Sequence, residues 1–424
     1  MRPAPPHQDQ PAIVVLGAGP AAWLAAAACA EAGLSVTLVG PDVAAPWPAR
    51  YGAFVDELES TGLLSFADRV WSALDVAAAG QRRRVARGYA RVDGAALQAA
   101  LRERLLRQGG AVREGVAQAV TVEGVVQLGS GEDLHGAVIV DASGAPGRTP
   151  GPTPRSFQHA YGEERTLPGG DAAARLGGSG MLLMDWSPPD AGWQGRWQRR
   201  PSFLYAMALD DDHIFCEETE LIAATPLPHD ELRARLHARL HRMELLGGAV
   251  SEVERCRLPM TLTAAPLAPR VVDFGARAGC VHPTTGYSLT RAACLAPTLA
   301  TALQRALAAS ADGQSAAAAG REALSAQHDR GAEALLQLGA VALQGMNGRQ
   351  ISSFFGAFFG LPPGHWTPLL ARGAALPQLA LAMARVFAAS PASVRGRLLA
   401  AGWQSRAPIL HALAPRSVPL EATP

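Results

Sequence analysis

Lysine is absent from this chain: all 38 basic residues are arginine. Chemistry that needs a lysine amine, such as a Schiff base or a P-loop, is therefore excluded. Cysteine is scarce, with five residues (Cys29, Cys216, Cys256, Cys280, Cys294) and no CxxC pair. That rules out a disulfide scaffold and a cysteine zinc site, and it suits a reducing cytoplasm. An excess of one charge is also missing, because 37 acidic residues leave a net charge of +1. No general nucleic-acid field is expected from such a balance. Apolar runs of spanning length do not occur; the nearest, Gly373 to Ala384, is interrupted by Pro377 and Gln378. Residues 1–11 are polar and proline-rich, without the apolar centre of a signal peptide, and read as a disordered tail.

What is present begins at Ala12. An apolar run stops at Gly17, Gly19 and Pro20, a small-residue helix follows through Ala22 to Ala32, and a second apolar run covers Leu34 to Val39. Strand, glycine turn, helix, strand is the order that sets a pyrophosphate on a helix N-terminus. Gly17 permits the tight turn, Gly19 clears the approach of the phosphates, and Ala22 replaces the third glycine. The second strand ends in Gly40 where an acid for the ribose is expected, with Asp42 two residues on. FAD and NAD are not distinguished by this turn.

With 424 residues the chain can bury a large core in two or three lobes. A helix is expected near Ala95 to Gln108, with Leu97, Leu101 and Leu105 on one face, and short strands over 111–140 lead to Asp141 and Gly144. From about 150 to 265 the pattern turns to strands. Ser202 to Leu209 and His213 to Thr219 read as a hairpin joined through Asp210, Asp211 and Asp212. A helix spans about Asp230 to Leu246. His237 and His241 share one face of it, but without the glutamate of HExxH or a third ligand no metal site is expected. Arg233, Arg235, Arg239 and Arg242 around them read as a solvated face. The apolar run Arg270 to Phe274 precedes a glycine-bearing turn, Gly275 to Tyr287, and residues 295–424 read as helical. The expected organisation is an α/β chain: a discontinuous dinucleotide domain (12–150 and 266–310), interrupted by a β-sheet substrate domain (151–265), with a helical region at 311–424.

Glu217 and Glu218 stand side by side on the expected strand. Alternation puts Glu217 with Phe215 and Thr219 and Glu218 with Ile214 and Cys216, without choosing between the two faces.

The ordered set of motifs resembles the FAD-containing lycopene cyclases of the plant and cyanobacterial type. It comprises Gly17 to Pro20; Trp47, Pro48, Tyr51, Gly52, Asp56 and Glu57; Tyr89, Arg91 and Val92; and Asp141 to Gly144. It continues through Ala160, Tyr161 and Gly162; Met184, Asp185 and Trp186; Phe203 to Met207; Phe215 to Thr219; Pro259 and Met260; and Ala278 to Tyr287, ending in Phe354, Phe355, Phe358, Phe359 and Trp366. Gly40 departs from the family's aspartate, and Cys216 from its usual leucine. The resemblance implies a Rossmann-like, glutathione-reductase-like or hydroxylase-like FAD fold and a non-redox cyclisation of lycopene end groups to β-rings. It implies Glu217 as the catalytic acid, with Glu218 beside it. For the cofactor it implies Gly17, Gly19, Pro20, Ala22, Asp42, Arg91, Gly144, Gly275, Gly279, Pro283, Thr285, Gly286 and Tyr287. For the substrate it implies Tyr51, Asp56, Glu57, Tyr161, Asp185, Trp186, Phe203, Tyr205 and Phe215. It further implies reduced FAD with NAD(P)H as electron source, a carotenoid substrate, peripheral contact with a membrane from the cytoplasm, and other carotenoid-pathway enzymes as partners. The competing readings are a monooxygenase or prenyl reductase on the same fold, and a carotenoid- or flavin-binding protein without turnover.

Overall fold

The strands that open the chain are apolar from end to end, so they are buried on both faces and pair in parallel. In the computed structural model Val271–Asp273, Val138–Asp141, Ile13–Leu16, Val36–Gly40 and Ala111–Glu114 lie in that order in one five-stranded parallel sheet. The described residues are 12–144, 152–263, 268–309, 312–327, 329–370 and 373–406. The expected tail 1–11 lies outside them, as do the expected divisions at 150/151, 265/266 and 310/311. The helix Pro20–Glu31 carries buried alanines all round and is packed by Gly94–Arg107 and Leu289–Ala308. A residue range near 270 thus rejoins the sheet begun at residue 13.

A second sheet of seven strands runs Val250–Leu262, Pro154–Thr166, His213–Ala223, Phe203–Ala208, Met181–Asp185, Leu74–Ala78, Gln81–Val85. All its pairings are antiparallel except that of Met181–Asp185 with Leu74–Ala78. Its last two strands come from before residue 90. The hairpin at 203–223 forms as its alternation indicates, with the Asp210 carboxylate accepting from the Asp212 backbone N–H at 2.8 Å to shape the turn. One register row crosses four strands: Tyr205 opposite Glu217, Glu217 opposite Gly162, and Gly162 opposite Glu254.

The two faces of this sheet have different covers. Helix His229–Arg242 packs on one, burying Leu232, Leu236 and Leu240 against Ile214 and Cys216. Arg235 and Arg239 of that helix are fully buried, which corrects the expectation of a solvated face. Arg239 is paired with Glu218, and Arg235 donates to the Arg200 carbonyl and the Ser202 hydroxyl. The amphipathic period marks only the leucines as inward, but the arginines lie beside polar atoms of the sheet. On the other face lie the C-terminal helices, including Arg330–Gln344, Gly348–Gly360, Leu376–Ala389 and Ala392–Gln404. Phe355, Phe358, Phe359 and Trp366 form their aromatic core.

Candidate active site

Backbone geometry explains the glycine turn. Gly17 has φ +126°, and a Cβ there would lie 2.6 Å from the Ala142 carbonyl oxygen. Only glycine lets the first strand turn against the Val138–Asp141 strand so closely. The indole N–H of Trp47 donates to the Ala18 carbonyl at 2.8 Å and pins the turn from outside. Gly19 is the N-cap of Pro20–Glu31, with no side chain capping the helix end, and a Cβ on it would meet nothing within 4 Å. The same is true at Gly144. Both open onto a cavity of about 980 Å³.

That cavity runs from the glycine turn, past Thr285, Gly286 and Tyr287 at the start of helix Leu289–Ala308, along the large sheet, and out between the C-terminal helices at Leu399 and Trp403. Two helix N-termini, at Pro20 and Leu289, therefore border one space, and each contributes a positive dipole end. Gly286 has φ +82°, and a Cβ there would strike the Gln158 side chain at 2.5 Å, so glycine lets this turn close onto the sheet. The lining is mostly apolar.

Of the expected cofactor residues, Gly19, Pro20, Gly144, Thr285, Gly286 and Tyr287 line the cavity. Gly17, Ala22, Gly275, Gly279 and Pro283 stand behind it as turn and packing residues; a Cβ on Gly275 would lie 2.5 Å from the Ala21 Cβ. Two expectations are corrected. Asp42 is exposed and does not line the cavity, and Gly40 has no room for a replacement acid because its Cβ would lie 2.7 Å from the Gly17 carbonyl group. Arg91 also lies off the cavity and spends its guanidinium on Asp68, with Nε 3.0 Å away.

The acid pair separates as strand alternation requires. Glu217 lines the cavity with Phe215 and Thr219. The Thr219 hydroxyl donates to it at 2.6 Å, and burial raises its pKa, opposed by that bond and by the Arg50 charge. Glu218 points to the opposite side, fully buried. It accepts from Ser202 Oγ at 2.6 Å and from Arg239 at 2.8 and 3.0 Å, which leaves it no access to the cavity. A role for Glu218 as cavity acid is thereby corrected: its geometry is that of a structural ion pair.

Tyr51, Phe203, Tyr205 and Phe215 also line the cavity. The hydroxyls of Tyr205 and Tyr287 each lie 3.2 Å from that of Tyr89; all three rings line the cavity, and burial drives their pKa values upward. The remaining expected substrate residues lie off the cavity. Trp186 stands behind Phe203 and Phe355, with ring centroids 4.7 and 5.0 Å away. Tyr161 faces the other side and donates to Glu163. Asp185 accepts from the Ser187 backbone. Asp56 and Glu57 are paired with Arg87, and Glu57 accepts from Thr290 at 3.2 Å.

Two residues were missed from the sequence. Glu254 lines the cavity, accepts from the Arg50 backbone N–H at 3.3 and 3.4 Å, and is pushed up to about 8 by burial and by the charge of Glu217. Arg50 sits over the Phe215 ring at 4.9 Å and also pairs with Glu164 at 2.9 Å and with Glu252. The only signal of Glu254 was its alternation with Cys256 and Leu258 on one strand face. Among the described residues no group of three or more histidine, cysteine, aspartate or glutamate side chains could hold a metal ion.

Comparison with known proteins bears on this site. The model of the lycopene cyclase protein family matches residues 12–396. A protein of Deinococcus radiodurans described as an uncharacterized carotenoid cyclase is 34% identical, over 90% of this chain and 91% of its own. The lycopene beta cyclase of Synechococcus elongatus is 31% identical, over 92% and 98% respectively. The chloroplastic lycopene beta cyclase of Arabidopsis thaliana is 30% identical, over 87% and 75%. In fold, the chain is similar to a geranylgeranyl bacteriochlorophyll reductase-like protein of Thermoplasma acidophilum, with a TM-score of 0.68 at 12% identity, covering 92% of this chain and 99% of that one.

Proposed function

The chain belongs to the lycopene cyclase family, and on that premise we propose that it closes the linear end groups of lycopene into β-rings without net oxidation, using FAD in its reduced form. The observation that carries this reading is Glu217, a half-buried carboxyl in the wall of a long apolar cavity, whose pKa desolvation raises. Alkenes are very weak bases, so the acid must be kept protonated and dry, and burial does both.

The residues fit the cofactor. Gly19 and Gly144 leave open space beside a helix N-terminus, which suits a pyrophosphate, and the start of helix Leu289–Ala308 suits the flavin end. Gly19, Pro20 and Gly144 would hold the phosphates, with Gly17 making the turn behind them, and Thr285, Gly286 and Tyr287 would hold the ring. Bound and reduced by NAD(P)H, FAD would supply negative charge beside a developing cation. Glu217 delivers its proton to C2 of the end group, leaving a tertiary cation at C1. The faces of Phe203, Tyr205 and Phe215 favour positive charge and exclude the water that would capture it. Attack by the C5=C6 alkene closes the ring, and loss of the C6 proton completes it.

A water-insoluble substrate must be drawn from a bilayer, and the cavity mouth supports contact with one. Leu381, Leu399 and Trp403 are 51%, 64% and 69% exposed, and Leu399, Trp403 and Arg406 border the opening. No acidic residue occurs between Glu333 and Glu421, so this end of the chain suits an anionic lipid surface. No helix among the described residues is long and apolar enough to cross a membrane, which leaves peripheral contact from the cytoplasm as the proposed mode. Expression in bacteria that make lycopene tests the reading. Cyclic carotenoid of unchanged mass is expected, whereas a product heavier by oxygen or hydrogen would assign the fold's redox chemistry instead.

A further inference from the structure

Gly162 is a gap between two carboxylates. Its strand, Pro154–Thr166, pairs on one side with His213–Ala223 and on the other with Val250–Leu262, and Gly162 is opposite Glu217 in the first and Glu254 in the second. A Cβ at 162 would lie 2.7 Å from the Phe215 ring and 3.4 Å from the Glu217 Cβ. The missing side chain is therefore what leaves room on this face. Both carboxyls line the same cavity, and their strands are about 10 Å apart, two strand spacings. Glutamate side chains can lean across such a gap.

The two carboxyls have unequal partners. Glu254 accepts from the Arg50 backbone N–H and has the Arg50 guanidinium 3.7 Å away. Glu217 accepts one hydroxyl bond, from Thr219. The Arg50 charge acts on both carboxyls, but the Arg50 backbone N–H donates to Glu254 and its guanidinium pairs with Glu254, which favours the anion there. Two like charges in an apolar wall cannot both be accommodated, so the pair retains one proton. The pair shares that proton, and the donors to Glu254 favour the form with the charge on Glu254 and the proton on Glu217, which is the form the reaction uses.

Building on the cyclase reading, we infer that Glu254 is the base that takes the C6 proton and so sets which ring is formed. The Glu217 O–H bond breaks as the new C2–H bond forms. The C5=C6 pair then makes the C1–C6 bond, and the positive charge passes to C5. Glu254 removes the C6 proton, and that C–H pair becomes the C5=C6 alkene of the β-ring. Transfer of the proton from Glu254 to Glu217 restores both groups, and no electron is gained or lost. C2 and C6 both flank C1, so acid and base must act from neighbouring positions of one wall, as residues on either side of Gly162 do.

The test compares flavin-loaded, reduced wild type with Glu217→Gln, Glu254→Gln and Glu254→Asp. It measures turnover against pH, flavin content and the ring isomers formed. Glu254→Gln should keep its flavin, slow by ~100-fold or more, and shift its residual product from β-rings to isomers whose proton left C4 or the C5 methyl. Its loss of activity at high pH should also begin at lower pH, because Glu217 no longer feels a second charge. Glu254→Asp should recover part of the rate and the β-ring. Wild-type turnover in Glu254→Gln would overturn the inference. So would a slow variant whose pH profile and ring type are unchanged, since that marks a structural role. If wild type forms no ring at all, the cyclase reading itself fails, a result separate from any behaviour of the variants.

Discussion

Replacing Glu217 and Glu218 one at a time by glutamine should separate chemistry from stability. Glu217→Gln keeps the shape of a group that burial already holds toward its neutral form, so folding should change little. It cannot protonate an alkene, and turnover should fall by at least ~100-fold, the low end of general-acid contributions. Glu218→Gln acts differently. Glu218 and its partner Arg239 are both fully buried, and a neutral amide leaves the guanidinium charge uncompensated apart from Asp185, 4.0 Å away. Breaking one side of such a pair costs about 3–5 kcal/mol. With an unfolding entropy near 2.1 cal/mol/K per residue over a chain of this length, the melting temperature should drop by roughly 5 °C if the chain unfolds as one unit. The assay measures melting temperature, flavin content and cyclised pigment on the same preparations. A stable, inactive Glu217 variant and a destabilised, active Glu218 variant are expected. A dead Glu218→Gln enzyme with full stability would refute the reasoning, because it would place the working acid on the helix-covered face.

Gly19→Val should fold, since a Cβ there meets no protein atom within 4 Å, but purify without flavin. Normal flavin content would mean that this turn does not approach the phosphates. Photochemically reduced enzyme should turn over anaerobically without added NADPH; equal rates with oxidised flavin would remove reduction from the requirements. Burial raises both carboxyls of the Glu217–Glu254 pair, and Glu254 beside a charged Glu217 is raised to about 8, so the pair holds its last proton to about that pH. The folded protein therefore binds more protons than the unfolded chain between about pH 4.5 and 8, and stability should decline as pH rises through that window. Denaturant midpoints at pH 6 and 8.5 check this, and Glu254→Gln should flatten the decline. An identical slope in the variant would assign the effect to another group.

Local chemistry carried much of the fold. The apolar runs at Ile13–Leu16 and Val138–Asp141 could only be doubly buried strands, and the glycine at 17 marked the turn between strand and helix because few residues tolerate φ +126°. Alternation along His213–Ala223 put Glu217 and Glu218 on opposite faces. Which face borders the cavity was not in that pattern. It depends on a helix covering one side and Phe355, Phe358 and their neighbours leaving space on the other. The leucine period of His229–Arg242 gave no sign that Arg235 and Arg239 are buried, because the groups that receive them, Ser202 and Glu218, lie outside the helix, at and before the strands it covers. Asp42 and Arg91 stood at plausible sequence distances, yet turn geometry and Asp68 draw them from the cavity. Glu254 is the clearest case. It lies 37 residues beyond Glu217, on a strand two places across the sheet, and only cross-strand register sets both beside Gly162. Period along a chain determines what a strand can present; register between strands decides what those side chains meet.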